Sequence, residues 1–165
     1  MAAIRTIALV AAASLALAAA PPGSRPDFSG DWILDKNRSF SNPAGLDQSM
    51  TIVHKGEGVG IKAKIASAQG ERLIEESWTL DGKEREFTPS GTQPGAKGKR
   101  KAYWLPENRG VVVDEETTTD SPNGPVTQQT TRKFSLTSEG ATLTVDYYFD
   151  GPRGSFEAKR VFVKK

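Results

Sequence analysis

One histidine, no cysteine and a scatter of carboxylates are all that the 165-residue chain offers for chemistry. A lone His54 excludes multi-histidine metal sites and argues against conventional zinc catalysis. A Ser-His-Asp triad would have to use that same histidine, and no serine sits in a Gly-x-Ser-x-Gly turn. His54 reads instead as a half-exposed strand end. Without cysteine there is no thiol nucleophile, thiolate ligand, disulfide or lipid-modified cysteine. The carboxylates cluster as Glu75-Glu76 and Asp114-Glu115-Glu116. Neighbours in a strand point to opposite faces, so neither run is itself a catalytic pair. Glu76 and Glu115 could meet across a barrel, and glycosidase chemistry needs carboxyls about 5–10 Å apart. Nothing in their spacing demands it. The loop from Gly91 to Gly98 lacks the spacing of a phosphate-binding loop. An isomerase or hydrolase using Glu76 is therefore the minor reading. No catalytic residues, metal or cofactor are expected.

The charge balance points away from other partners. A net charge of +2 gives no general pull toward nucleic acid or anionic membrane. The basic run Lys97-Gly98-Lys99-Arg100-Lys101 reads as a solvated loop leading into a strand.

The elements that must position these side chains are strands. Helical periodicity is absent behind the N-terminus, and short period-two runs alternate with turn residues. The pattern predicts strands over 30–35, 48–54, 59–67, 72–80, 83–88, 99–105, 110–118, 126–136, 141–149 and 156–163. Asp81-Gly82 is the best two-residue hairpin, since both residues accept the positive φ of a type I′ turn. Uniformly short connections favour an all-β fold: a single antiparallel up-and-down β-barrel of about 8–10 strands. A two-sheet sandwich is the alternative. Closing the sheet would remove both edges and cover the apolar face.

The first residues read as a secretory signal peptide over 1–18. Arg5 supplies the positive end, an Ala/Leu/Ile/Val run follows, and Ala16-Leu17-Ala18 is a small-x-small cleavage site. The run is shorter than the roughly 20 residues that span a bilayer. A flexible Pro/Gly/Ser leader over 19–26 and a barrel domain over 27–165 follow. The expected location is periplasmic or secreted, with no membrane span.

Alternation sorts the faces. Met50, Ile52 and His54 align, as do Ile74, Glu76, Trp78 and Leu80. Phe134 goes with Leu136, and Leu143, Val145, Tyr147 and Phe149 share a face. Phe156, Ala158, Arg160 and Phe162 share the last one. Trp78, Tyr147, Phe149 and Phe134 are the candidate ligand-lining residues. Glu76 either orients a ligand's polar end or reaches water at a rim. The competing reading is an interior packed solid with these rings.

The string Gly30-Asp31-Trp32 at the head of the first strand resembles the Gly-x-Trp signature of lipocalins and related calycin barrels. The wider run Phe28 to Asp35 resembles exported bacterial lipocalin-like proteins. The resemblance implies that Gly30 and Trp32 close the barrel base and that Arg160, from the last strand, packs across the indole. It implies a small, largely apolar ligand. The chain departs from typical lipocalins, which have eight strands and a C-terminal helix. Ten strands are similar to fatty-acid-binding proteins, whose helical lid the broken 36–46 segment does not supply. A second reading stays open: an envelope interaction module whose protein partner contacts the Thr-rich 117–131 hairpin and the 89–101 loop.

Overall fold

The computed structural model describes residues 25–40, 46–68, 70–89 and 95–165. The expected signal peptide lies outside the described residues, as does nearly all of the leader. Ten strands make up the fold: β1 (Gly30–Leu34), β2 (Asp47–Lys55), β3 (Gly58–Ser67), β4 (Gly70–Thr79), β5 (Glu84–Phe87), β6 (Lys97–Trp104), β7 (Val111–Thr119), β8 (Val126–Leu136), β9 (Thr142–Gly151) and β10 (Gly154–Lys164). They form one antiparallel sheet in the order β4-β3-β2-β1-β10-β9-β8-β7-β6-β5. The sheet curls on itself through the β1–β10 pairing, where Leu34 lies opposite Phe162. The expected meander is present, in a lipocalin-like barrel.

The barrel is not fully closed. β4 pairs only with β3, and β5 only with β6, so a seam runs between them. The expected Asp81-Gly82 hairpin is the place where the sheet breaks. Of the two residues only Gly82 has positive φ, at 71°, so the type I′ turn does not form. The Asp81 carboxylate is held by both nitrogens of the Arg85 fork, at 2.8 and 2.7 Å, and by the Lys83 amide. Leu80 donates to the Glu57 carbonyl and Gly82 to that of Ala102, each towards a different strand neighbourhood. The corner thus hands its two strands to opposite lips of the seam. Edge strands invite association. β5 blunts its edge by being four residues long and carrying Glu84, Arg85 and Glu86.

Turns at alternate strand ends define a base and a mouth. The base half is packed. Trp32, Ile52, Val111, Val113, Leu143, Val145 and Phe162 are at most 2% exposed. The Trp32 indole donates to the Phe28 carbonyl at 3.0 Å. The cation over its ring is Lys164, at 5.4 Å, and not Arg160. The register explains the correction: Trp32 lies opposite Lys164 on β10. Arg160, four residues away, is about 13 Å further along the strand. His54 is not half exposed as expected. Its ring is 7% exposed and packs between Phe28 and Trp104, with Nε2 3.1 Å from the Gly56 carbonyl. Phe156, expected inside, is 53% exposed and stacks on Phe149 at 4.4 Å. It sits next to the β9–β10 turn, at the mouth where the interior ends.

At the β6–β7 corner, a Cβ on Gly110 would run into the Phe134 carbonyl oxygen, a backbone atom that cannot yield. Gly110→Ala should therefore lower stability by about 1–3 kcal/mol. Gly60, whose Cβ would meet nothing within 4 Å, should tolerate alanine within about 0.5 kcal/mol. Urea unfolding of the two variants checks the contrast.

Candidate functional site

Above the packed base, the mouth half of the barrel encloses an open cavity of about 750 Å³. Side chains from both sides of the seam build its floor. Glu76 on β4 receives the Arg132 fork from β8, at 2.6 and 2.9 Å. Arg132 also donates to Glu115 on β7 at 3.0 Å. Arg100 on β6 reaches Glu115, Glu76 at 3.2 Å, and the Ser77 carbonyl at 3.2 Å. These four side chains are only 11–14% exposed. Two carboxylates face two guanidiniums, so the quartet is balanced. It stitches β4 to the opposite lip where strand pairing is missing.

The quartet answers the question of Glu76. It is not at a rim. Burial alone would raise its pKa, but the Arg132 charge and hydrogen bonds, with Arg100 behind them, hold it below the usual carboxylate range. Burial likewise works against the charged form of Arg132, and Glu76, Glu115 and Tyr147 more than offset it. Glu76 and Glu115 do meet, as partners of shared arginines.

Arg100 is the residue that sequence reasoning placed wrongly, as part of a solvated basic run. Along β6 exposure alternates. Lys97, Lys99 and Lys101 point out, while Gly98 and Ala102 are buried and Arg100 is partly buried. Period two was the available signal. It also places Arg132 on the inner face with Thr130 and Phe134.

Arg160 does not close the base; it stands on the cavity wall. One of its terminal nitrogens donates to Gln48 Oε1 at 2.8 Å and lies 3.5 Å from the Tyr147 hydroxyl. Its guanidinium sits over the Tyr147 ring at 4.6 Å. No carboxylate pairs with it among the described residues. Its Nε is buried without a hydrogen-bond partner, and so is that of Arg132. Gln48, at 5% exposure, is the one buried polar residue holding it.

Of the expected ligand-lining residues, Tyr147, Phe149, Phe134 and Glu76 line this cavity. Trp78 does not. It packs on Phe134 at 5.6 Å, with its indole nitrogen buried and unpaired, and faces the groove at the seam. Interior direction was legible for Trp78, but its level along the barrel axis depends on strand tilt. The β2–β4 side of the cavity mixes aliphatic side chains with polar ones, Gln48, Ser67, Glu71 and Arg72. Leu46, Met50, Ile61, Ala63, Ile65 and Ile74, from the β2–β4 side, are aliphatic. Thr117, Gln128 and Thr130, from β7 and β8, are polar. The Thr-rich hairpin is thus split. Thr117 and Thr130 face inward, while Thr118 and Thr127 bond each other outside at 3.0 Å.

No protein-family model matches the chain, and no curated protein matches it by sequence. Solved structures do. The zebrafish ileal bile acid-binding protein in complex with cholic acid superposes with a TM-score of 0.50 at 14% identity, over 84% of this chain and 98% of its own. A protein described as the REP1-NXSQ fatty acid transporter gives 0.54 at 13% identity, over 84% and 96%. A secretory abundant heat soluble protein 4 from Ramazzottius varieornatus reaches 0.49 at 13% identity, over 86% and 96%. At such identities the first two likenesses bear on fold alone: a lipocalin-like β-barrel.

Proposed function

We propose that this chain is an exported carrier that holds one amphipathic anion in the mouth half of its barrel. The anionic end sits at Arg160, and the apolar body lies against Met50, Ile61, Ala63, Ile65 and Ile74. The observation that carries the reading is the Arg160 guanidinium, uncompensated by any carboxylate among the described residues and with its Nε orphaned. Arg160 is half-buried; a cation drawn away from water without a counter-charge is costly, and a bound anion offsets that cost. The volume of about 750 Å³ lies within the range of small-molecule sites, roughly 300–1,000 Å³. Support also comes from two of the structural neighbours, a bile acid-binding protein and a fatty acid transporter. Tyr147 and Gln48 orient the guanidinium, Phe149 and Phe134 line the site, and Glu76 serves by holding Arg132 and Arg100. Export follows from the N-terminal reading.

Native mass spectrometry of protein purified gently from its own source tests this. The expected result is a single adduct that extracts as an organic acid. A clean ligand-free mass would turn the assignment toward an envelope protein-contact module.

A further inference from the structure

Resting on the carrier reading, we infer that Gln48 is the specificity-determining residue of the cavity. Its amide nitrogen donates to the ligand's anionic end, and its neutral side chain holds Arg160 without cancelling the charge. Gln48 lies on the inner face of β2, in line with Met50 and Ile52, and is 5% exposed. An amide at such a core position is costly unless it is hydrogen-bonded. Its oxygen is satisfied: Gln48 Oε1 accepts from Arg160 at 2.8 Å.

A guanidinium carries donors only, so the amide can face it in one orientation alone, oxygen first. The amide NH2 group must then point away from Arg160. That nitrogen has no hydrogen-bond partner among the described residues, yet it is not sealed off as the Arg160 Nε is. It opens onto the cavity, which Gln48 lines together with Arg160 and Tyr147. The Tyr147 hydroxyl lies 3.5 Å from the same Arg160 nitrogen. With its oxygen facing a donor, the hydroxyl keeps its own proton free. The three side chains thus turn donors toward the cavity, and both of their oxygens face Arg160. An ionised carboxylate, which only accepts, fits such a cluster.

The neutrality of Gln48 matters as much as its protons. A carboxylate in its place would complete an ion pair with Arg160, as Glu76 and Glu115 do with Arg132 and Arg100. An incoming anion would then find the cation already neutralised and a like charge where a donor had been. Like charges brought together in a contact suppress binding. Gln48→Glu exchanges one NH2 group for one oxygen, so it isolates this difference with little change of shape.

Titrations of oleate and oleyl alcohol into the unmodified protein, Gln48→Glu and Gln48→Met test this. Gln48→Glu should bind oleate at least about 30-fold more weakly and oleyl alcohol within about threefold of the unmodified protein. Its urea midpoint should be no lower. Gln48→Met keeps the length of the side chain and removes both amide groups. It should bind oleate about tenfold more weakly, since a hydrogen bond to a charged group is lost. In the unmodified protein the nuclear magnetic resonance signals of the Gln48 side-chain NH2 group should move when oleate saturates the site, a readout that does not depend on any variant folding. Signals that stay in place at saturation would overturn the inference and leave the carrier reading standing. A folded Gln48→Glu or Gln48→Met that binds oleate as tightly as the unmodified protein would do the same. If oleate does not bind the unmodified protein, the inference and the carrier reading both fall.

Discussion

Replacing Arg160 with methionine should leave the ligand-free protein close to its original stability while removing most of its affinity for an anion. The two effects separate because of what surrounds the guanidinium. In the ligand-free state Arg160 makes one good hydrogen bond, to Gln48 at 2.8 Å, and has no carboxylate partner among the described residues. Exchanging a half-buried charge that lacks a counter-ion for a packed apolar side chain removes a desolvation cost. Leaving the Gln48 oxygen unpaired costs about 1–3 kcal/mol in return. The two nearly cancel, and the net change should stay within about 2 kcal/mol. Binding has no such compensation. Truncating one partner of a desolvated charge pair costs about 2–5 kcal/mol, or roughly 30-fold and upward in affinity. Urea midpoints and titrations on the same preparation give both quantities. A loss of stability as large as the loss of binding would mean that Arg160 is structural.

Glu76→Gln should behave in the opposite way, unfolding the protein well before it alters any preference among ligands. Glu76 takes two bonds from Arg132 and one from Arg100, at 12% side-chain exposure. Removing its charge leaves two guanidiniums to share Glu115. Breaking a buried ion pair from one side costs about 3–5 kcal/mol. For a domain of this size that is a fall in melting temperature on the order of 10 °C. The loss falls on the seam, because Glu76 is the β4 anchor of the quartet. Glu76→Leu combined with Arg132→Met should recover much of it, since the remaining Arg100–Glu115 pair is again balanced.

The same carboxylate sets an acid limit. Its pKa in the folded protein lies below the ordinary value of 4.5. Its contribution is therefore complete above that ordinary value and is lost as the pH falls through the lowered one. The urea midpoint of the unmodified protein should drop steeply below about pH 4.5, and that of Glu76→Gln less so.

What was legible in the sequence was local. The strand expected over 126–136 matches β8 at both ends, and period two placed Tyr147, Phe149, Phe134 and Glu76 inside because each depends only on its neighbours. What failed depended on partners far away in the chain. Asp81-Gly82 has the composition of a tight hairpin, yet Arg85 captures Asp81, and the flanking strands pair with β3 and β6 instead of with each other. Arg160 was assigned to the indole because it lies in the last strand; only the β1–β10 register reveals Lys164 in that place. Arg100 hid in a run of lysines, since a basic run in sequence does not say which residue finds carboxylates across the barrel. Trp78 was correctly turned inward, but at a level where Phe134 covers it.

The most direct measurement is a pair of titrations, oleate against oleyl alcohol, on the unmodified protein and on Arg160→Met. The two probes share one hydrocarbon tail and differ in the charge of the end. The account predicts that oleate binds the unmodified protein at least about 30-fold tighter than the alcohol, and that Arg160→Met abolishes this preference. Equal affinities in the unmodified protein, or a preference that survives in Arg160→Met, would contradict it.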